Sequence, residues 1–276
     1  MEARIWFITG ISSGLGEALA QKVVEKGDFV IGTFRRQSQT DTFNETYNER
    51  GLALTMDVTD PEAVDNAFEI IQQRYKQIDV LVNNAGFGMA GAVEETSMEE
   101  VRRVFEANFF GALWITQKAL PILRARKKGH ILQISSHGGF KGFAGFGIYN
   151  ASKFALEGFS EALAAEVAPL GIRLTLVEPG PFRTRFAGDA FSLAGSHISD
   201  YDQTAGVFRD KIKAVDGKQE GDPVKAAAII FEVVEMENPP LRLPLGKTAV
   251  ATLTSKLESV QHDIESFRKT AEAAVF

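Results

Sequence analysis

The sequence contains no cysteine, and its four histidines, His130, His137, His197 and His262, lie far apart along the chain. The absence of cysteine excludes disulfides, thiolate metal ligands and cysteine nucleophiles. The histidines show none of the close spacings that zinc ligands have, so we expect no metal site. A cysteine-free chain suits a reducing compartment, and we expect a cytoplasmic protein.

Long apolar runs and a surplus of basic charge are also missing. No apolar stretch approaches the roughly 18 residues that a membrane-spanning helix needs. The first apolar run, at 5–8, is too short for a signal-peptide core. The formal net charge is −6, with lysine and arginine scattered along the chain. We therefore expect neither a membrane span nor a nucleic-acid partner.

What the chain does contain is a repeated alternation of short apolar runs and longer amphipathic stretches. Strands are predicted at about 5–9, 29–33, 52–56, 79–83, 130–135 and 173–178. Helix starts are indicated by Asp60-Pro61, an N-cap followed by proline, and by the capping box of Ser97 and Glu100. The pattern predicts one α/β domain over 1–276, with a doubly wound parallel sheet of about seven strands and helices on both faces. Ligands should bind beyond the carboxyl ends of the strands.

Two segments depart from this alternation. The stretch at about 182–221 is polar and irregular, which predicts a substrate lid or binding loop. The stretch at about 247–276 predicts a C-terminal helix packed on the body or on a partner subunit.

The loop after the first strand is rich in glycine. It reads Thr9-Gly10-Ile11-Ser12-Ser13-Gly14-Leu15-Gly16 and leads into a predicted helix. Glycine lets the backbone approach a pyrophosphate closely, and a helix start offers free N–H groups and a positive dipole end. The pattern favours a dinucleotide site formed by Gly10, Ser12, Ser13, Gly14, Leu15 and Gly16, with a tight turn without ligand as the alternative.

The same segment matches Gly-x-Ser-x-Gly, the nucleophile elbow of serine hydrolases, with Ser12 as the nucleophile. That elbow needs an upstream strand and loop for its oxyanion hole, and only nine residues precede Gly10. His197 and His262 are the nominal triad partners, but neither follows a predicted strand. The hydrolase interpretation is therefore the weaker one.

Polar residues after the next strands indicate the rest of a nucleotide site. Arg35 and Arg36 end the second strand without an acidic neighbour, which favours the 2′-phosphate of NADP(H) over NAD(H). Asp57-Val58 is placed to reach an adenine, although Asp57 could instead cap the following turn. Asn83-Asn84-Ala85-Gly86 suits close approach to a ribose, or a plain turn.

The fifth strand leads to Ser136, and Tyr149 and Lys153 follow at the start of a helix. Four residues apart, the phenol and the ammonium share one helix face. A nearby cation favours the ionised phenol, so we expect Lys153 to lower the pKa of Tyr149 and Tyr149 to transfer a proton. A surface tyrosine with a solvated lysine is the alternative.

Asn108 lies in a predicted helix beside Gly111, where asparagine is a poor helix former. It could bend the helix and hold a water molecule that links Lys153 to solvent, or be a plain irregularity. After the sixth strand, Pro179, Gly180 and Thr184 could face a nicotinamide amide or form an ordinary turn.

Together these motifs resemble the short-chain dehydrogenase/reductase family over about the first 185 residues. They are Thr9-Gly10-x-x-x-Gly14-x-Gly16, Asp57, Asn83-Asn84-Ala85-Gly86, Asn108, Ser136, Tyr149-x-x-x-Lys153 and Pro179-Gly180-x-x-x-Thr184. The resemblance implies a Rossmann fold, a catalytic tetrad of Asn108, Ser136, Tyr149 and Lys153, and contact of Lys153 with the nicotinamide ribose. It also implies a homodimer or homotetramer built partly from the long helices before the fifth strand and after Tyr149.

One departure from the family concerns the glycine loop, which lacks the basic residue that some of its NADP enzymes carry there. The chain looks most like the branch of hydroxysteroid and retinol dehydrogenases, which suggests a lipophilic alcohol or ketone as substrate. Phenylalanines in the segments expected near the pocket agree with this; they are Phe87, Phe140, Phe143, Phe146, Phe182, Phe186 and Phe191. The alternative to an enzyme is a non-catalytic NADP(H)-binding sensor module.

Overall fold

The computed structural model describes residues 3–187 and 191–276 of the chain. The strands are β1 (Ile5–Ile8), β2 (Phe29–Phe34), β3 (Gly51–Thr55), β4 (Val80–Asn83), β5 (Gly88–Ala90), β6 (Gly129–Ile134), β7 (Ile172–Pro179), β8 (Phe191–Leu193) and β9 (Arg242–Leu245). The α-helices are α1 (Gly14–Glu25), α2 (Gln37–Thr46), α3 (Pro61–Arg74), α4 (Met98–Phe105), α5 (Gly111–Arg126), α6 (Gly147–Val167), α7 (Val207–Val215), α8 (Pro223–Glu235) and α9 (Lys247–Glu272).

Seven of these strands form one parallel sheet in the order β3-β2-β1-β4-β6-β7-β9. Alternate side chains of β1 show how its two faces are covered. Trp6 and Ile8 pack with α1 and α8, whereas Ile5 and Phe7 pack with α3, α5 and α6. Fully buried parallel strands need apolar residues on both faces, which is why these strands read as continuous apolar runs. The predicted doubly wound α/β fold is confirmed.

The helix starts form as their sequences predict. Asp60 caps α3 by accepting hydrogen bonds from the backbone N–H groups of Glu62 and Ala63. Ser97 and Glu100 form the capping box of α4. The side chains that start these two helices are therefore close in sequence to the helices themselves.

The seventh strand, β9, was not located by the sequence pattern. It is only four residues long and contains a proline, which is tolerated because β9 is an edge strand. The segment at 182–221 is not irregular throughout, since it contains β8 and α7, and β8 pairs with β5 in a small parallel sheet. Residues 188–190 of that segment lie outside the described residues.

The C-terminal helix α9 has Ala249 and Leu253 as its buried residues. Within the described part of the chain, no helix is both long and apolar enough to cross a membrane.

Candidate active site

The carboxyl ends of β1 and β4 lie side by side where the strand order of the sheet reverses. The Thr9 hydroxyl, at the end of β1, accepts hydrogen bonds from the backbone N–H groups of Asn84 (2.9 Å) and Ala85 (3.0 Å). The Asn84 amide donates to the carbonyls of Thr9 (2.8 Å) and Gly10 (2.9 Å). These four bonds tie together the loops that follow the two strands, so the Asn84 side chain shapes the glycine loop.

The glycine loop uses conformations and spaces that other residues cannot. Gly10 and Gly14 have φ values of +70° and +65°, in the left-handed region. A Cβ on Gly16 would lie 2.4 Å from Asn84 Nδ2. Ser13, before α1, makes no side-chain cap bond, so the first-turn N–H groups stay available to an anion. This backbone cradle fits the pyrophosphate of a dinucleotide.

The chain returns to the same cradle after β7. A Cβ on Gly14 would lie 3.0 Å from Thr184 Cβ, so Thr184 covers the start of α1. Arg183 and Arg185 line one groove with Ser13, Gly14 and Thr184. The sequence analysis did not identify these two arginines as site residues. Their position in the loop after a strand end could have indicated them. They place positive charge beside a loop that has none of its own.

The turn that leads to Thr184 is fixed against the edge of the sheet. β7 ends at Pro179, and the backbone N–H of Gly180 donates to the carbonyl of Leu245 at 2.9 Å. The structure thus brings Pro179, Gly180 and Thr184 to the same edge of the sheet as the glycine loop.

The residues expected to hold the adenosine half are placed at the ends of β2 and β3. Arg35 and Arg36 are exposed directly after β2, and among the described residues neither forms an ion pair. Asp57 accepts hydrogen bonds from the backbone N–H and hydroxyl of Thr59, at 2.9 and 2.8 Å, so it does cap the following turn. Val58 is half-buried next to α5.

Ser136, Tyr149 and Lys153 meet at the end of β6 and the start of α6, and all three are buried. A Cβ on Gly138 would lie 3.3 Å from Ser136 Oγ and 3.6 Å from Tyr149 Cε1, so both side chains border the same glycine. Lys153 Nζ donates to the carbonyl of Ile134 at 2.8 Å and lies 6.0 Å from the centre of the Tyr149 ring. The predicted convergence of the three side chains is present.

Asn150 fixes the loop between Ser136 and Tyr149 and was missed from the sequence. Its Oδ1 accepts a hydrogen bond from Phe143 N at 2.9 Å, and its Nδ2 donates to the Gly138 carbonyl at 2.8 Å. Its position next to Tyr149 was the only signal. Because it is buried, these bonds hold Ser136 and Tyr149 in register.

Burial controls the protonation of the site. It raises the pKa of Tyr149 to about 12, and the Ser136 hydroxyl acts in the opposite direction. Burial also lowers the pKa of Lys153 to about 8, against the Glu157 carboxylate, which raises it. The sequence interpretation expected a lowered tyrosine pKa, and the direction differs because burial, the largest effect, disfavours the charged phenolate. Tyr149 is therefore a protonated phenol in this state.

Asn108 lies in a π-helical turn, Glu106–Phe110, that joins α4 to α5. Its Oδ1 accepts a hydrogen bond from Phe87 N, its Nδ2 donates to the Phe87 carbonyl, both at 3.0 Å, and the Nδ2 also donates to Ser152 Oγ at 3.1 Å. A Cβ on Gly86 would lie 2.8 Å from Asn108 Oδ1 and 3.7 Å from Lys153 Nζ. Asn108 thus positions the loop after β4 next to Lys153, and its role in holding a water molecule stays a prediction.

An aromatic cluster surrounds the Tyr149 ring. Phe146 stacks on it with a centroid distance of 4.2 Å, and Phe186 meets it edge-on at 5.7 Å. Phe191 and Phe208 pack on Phe146 at 5.9 and 4.9 Å. Phe208, on α7, was missed because the sequence assigned no helix there.

The other phenylalanines singled out from the sequence pack elsewhere. Phe87 lies under Arg103, Phe140 under Arg242, Phe143 against His137, and Phe182 against Gly221 and the core. Of the seven phenylalanines, Phe146, Phe186 and Phe191 belong to the cluster around Tyr149.

A buried acid cluster lies behind Lys153 and was also missed. Glu157 and Glu178 both pair with Arg242, which additionally binds Glu161 at 2.7 Å. Burial and the neighbouring Glu157 raise the pKa of Glu178 to about 7. Burial also raises the pKa of Glu157, against the nearby Ser135 hydroxyl and the Arg242 guanidinium, which lower it. Arg242 comes from β9, the strand that the sequence did not locate.

The residues required for a hydrolase are not assembled. His197 Nε2 pairs with Asp202 at 2.7 Å, and His262 is exposed on α9. Within residues 3–187 and 191–276, neither histidine forms a hydrogen bond with Ser12 through its ring. The nucleophile-elbow interpretation of the glycine loop is not supported.

Comparison with known proteins identifies relatives along most of the chain. The short chain dehydrogenase family model matches residues 4–193. The crystal structure of a short-chain dehydrogenase from Streptomyces avermitilis has 42% sequence identity and a TM-score of 0.93, and the match covers 99% of each chain.

Curated relatives include both reductases and a dehydrogenase. The 3-ketodihydrosphingosine reductase of Bacteroides thetaiotaomicron is 39% identical over 89% of both chains. The NADPH-dependent 3-dehydrocapnine reductase of Ornithobacterium rhinotracheale is 38% identical over 80% of both chains. Human retinol dehydrogenase 8 is 37% identical over 87% of this chain and 80% of its own length. The last similarity agrees with the expected branch.

Proposed function

The chain belongs to the short-chain dehydrogenase family, and from this premise we propose that it transfers a hydride between NADP(H) and a lipophilic alcohol or ketone, with Tyr149 as proton carrier. It is an oxidoreductase by family. The main support for the proposal is that Ser136, Tyr149 and Lys153 are buried together at the strand ends, next to the glycine loop.

The residues of the cradle fit a dinucleotide. The left-handed glycines and the open first turn of α1 suit the pyrophosphate, and Arg35 and Arg36 suit a 2′-phosphate. The residues proposed to bind it are Gly10, Ser12, Ser13, Gly14, Leu15, Gly16, Arg35, Arg36, Asp57, Val58, Asn84, Ala85, Gly86, Tyr149, Lys153, Pro179, Gly180 and Thr184. The chemistry that NADP(H) supplies when bound is hydride transfer at the nicotinamide ring.

The proton step belongs to the chain itself. In reduction, Ser136 and Tyr149 hold the carbonyl oxygen of the substrate, and Tyr149 donates its phenolic proton to that oxygen. Lys153 stabilises the phenolate that results, because its ammonium lies on the same helix face. Asn108 positions the Gly86–Phe87 backbone beside Lys153. Oxidation of an alcohol runs through the same residues in reverse.

A lipophilic substrate is proposed from the aromatic cluster of Phe146, Phe186 and Phe191 around Tyr149. Apolar walls with a few convergent polar groups favour a substrate with one oxygen on an apolar body. The relatives named for 3-ketodihydrosphingosine and for retinol are consistent with this choice.

The test is a panel of ketones and alcohols of graded hydrophobicity, assayed by NADPH and NADH absorbance side by side. The expected result is turnover of apolar ketones with NADPH, and loss of turnover in Tyr149→Phe. A non-catalytic NADP(H)-binding sensor, the alternative, would bind the nucleotide and turn over no compound in the panel.

We also infer a homodimer or homotetramer built on α4, α5 and α6. Large apolar side chains are exposed on α5, on α6 and on the π-helical turn that joins α4 to α5, namely Trp114, Phe154 and Phe110. Unpaired apolar patches of this kind favour burial against a second subunit. A cytoplasmic location stays a prediction from the composition.

A further inference from the structure

The distal half of α9 lies free of the rest of the molecule. The buried residues of α9 are Ala249 and Leu253, near its start, and every residue from Leu257 to Glu272 is exposed. This free part is about 24 Å long at the usual helical rise. A helix of that length is only marginally stable in water by itself. Its sequence should therefore contain a surface that packs on something else.

Such a surface is present as one apolar stripe. Leu257, Val260, Ile264 and Phe267 are 59%, 39%, 53% and 69% exposed, and we call these four residues the α9 seam. Their spacing alternates between three and four residues, which is the a/d pattern of a coiled coil. Val250 and Leu253 continue the same spacing toward the body. The pattern favours another helix as the occupant.

The charges of α9 select among occupants. α9 carries four basic and four acidic side chains, which are Lys247, Lys256, Arg268, Lys269, Glu258, Asp263, Glu265 and Glu272. A helix that binds an anionic membrane surface has a mainly basic polar face, so the balanced charge argues against lipid. Balanced charge beside an apolar seam is typical of a coiled-coil helix.

The flanking positions are complementary to a second copy of the same helix. Asp263 precedes the a position at Ile264, and Arg268 follows the d position at Phe267, so the two occupy g and e positions five residues apart. Between parallel helices in register, a g residue faces the e residue of the next heptad on the partner. Asp263 of each copy would then face the partner's Arg268. An antiparallel alignment of the four seam residues would instead place the two Asp263 carboxylates together.

We propose that the α9 seam forms a parallel, in-register pair with the same helix of a second copy of this chain. This contact is separate from the α4, α5 and α6 surface and does not depend on the enzymatic activity. It gives the protein a second self-association surface at the opposite end of the sequence from the cofactor cradle.

The first test measures the particle mass of the full chain by light scattering or sedimentation. In Ile264→Glu with Phe267→Glu, two charges enter the seam, and the mass is expected to fall twofold. Ser259→Glu with Ser266→Glu adds the same charge to the polar face of the same helix and should leave the mass unchanged. An unchanged mass in the seam variant overturns the proposal. Circular dichroism checks that the body remains folded.

The second test uses the absence of cysteine from the chain. Leu257→Cys and Ile264→Cys, made singly, should each give disulfide-linked dimers on mild oxidation, because equivalent seam residues meet in a parallel pair. Ser259→Cys is the control and should remain largely monomeric on a denaturing gel. Equal cross-linking of all three variants overturns the proposal, as does cross-linking of none.

The third test reverses the flanking charges. Asp263→Arg should weaken the association, and adding Arg268→Asp to it should restore the mass of the unmodified protein. Failure of the double variant to recover mass contradicts the parallel register. A vesicle flotation assay with phosphatidylcholine and phosphatidylglycerol tests the lipid alternative. If the protein floats with the vesicles only when the α9 seam is intact, and the cysteine variants form no disulfide dimers, the seam binds lipid and the helix pair is rejected.

Discussion

The phenol of Tyr149 carries a proton that its surroundings make difficult to remove. Burial raises its pKa to about 12, while the Lys153 ammonium is held 6.0 Å from the ring centre by the Ile134 carbonyl. A phenol in this state can donate a proton to a carbonyl oxygen, and the resulting phenolate would face a cation one helical turn away. At the scale of the residue, the phenol is in the protonated form that the proposed reductive step uses.

The first prediction concerns the loss of that proton. Tyr149→Phe retains the ring that stacks on Phe146 and removes the hydroxyl, so kcat with NADPH and a ketone should fall by about 10²–10⁴-fold. The Kd for NADPH, measured by fluorescence titration, should stay within about twofold. Tyr47→Phe, which changes a tyrosine packed on Phe43 far along the chain, is the control. Turnover that survives in Tyr149→Phe would remove Tyr149 from the reaction.

The second prediction concerns the pH dependence of activity. The pKa of Lys153 is about 8, and the Glu157 carboxylate raises it against the effect of burial. Glu157→Gln removes that negative charge, so the pKa of Lys153 should fall further and the ammonium should lose its proton at lower pH. Because the proposed mechanism needs the charged lysine, the alkaline limb of the kcat/KM profile should move toward lower pH.

Glu161→Gln is the matched control for this shift. Glu161 also binds Arg242, but it is half-exposed and does not act on Lys153. The alkaline limb of the kcat/KM profile of Glu161→Gln should coincide with that of the unmodified enzyme. A limb that stays in place in Glu157→Gln, or moves to higher pH, would show that Glu157 only supports the fold.

The sequence was sufficient to predict that Ser136, Tyr149 and Lys153 come together, because each follows a strand or opens a helix at a fixed spacing. It could not identify Asn150, Phe208 or Arg242. Asn150 bonds to the loop after Ser136, Phe208 lies on a helix in the 182–221 segment, and Arg242 lies on the last strand. The contacts of all three residues depend on packing between segments that are distant in sequence. The tyrosine pKa also required coordinates, because burial is a property of the whole environment.

At the scale of the element, the six predicted strands fall within two residues of the observed bounds. Continuous apolar runs and local caps carry that information. The strands β5 and β8 were not identified because each has three residues, too few to show periodicity. The strand β9 was not identified because Arg242 and Pro244 interrupt its apolar run. Their existence depends on partners that are distant in sequence, such as Gly88 and Phe191.

The third prediction concerns the glycine loop as a packed element. In Gly16→Ala, the added methyl group would lie 2.4 Å from the Asn84 amide and 2.6 Å from the Gly10 carbonyl, so the clamp between the loops must shift. We expect the Kd for NADPH to rise at least tenfold. Gly158→Ala, on α6, adds a methyl group to open space and should leave the Kd unchanged, with stability gained by up to about 1 kcal/mol. An unchanged Kd in Gly16→Ala would place the nucleotide elsewhere.

At the scale of the whole molecule, one sheet edge collects groups from distant parts of the chain. The glycine loop, Arg35, Ser136 and Thr184 all follow strands of one parallel sheet, and the strand order reverses between β1 and β4. Parallel strands end at the same edge, so a ligand bound there contacts several elements at once. Occupancy of the site should therefore stabilise the entire domain.

The fourth prediction uses this coupling to settle the nucleotide preference without turnover. A ligand at about 100 times its Kd adds about 2.7 kcal/mol to the stability of the native state, which corresponds to a rise in Tm of roughly 5–10 °C for a chain of this size. NADPH should give a rise of this order, and NADH at the same concentration a smaller one, because only NADPH has the 2′-phosphate that Arg35 and Arg36 are proposed to bind. In Arg35→Ser with Arg36→Ser, the two rises should become equal. Arg124→Ser, an exposed arginine at the end of α5, should keep the difference. Equal rises in the unmodified protein would reject the NADP(H) assignment while leaving the proton chemistry of Tyr149 untouched.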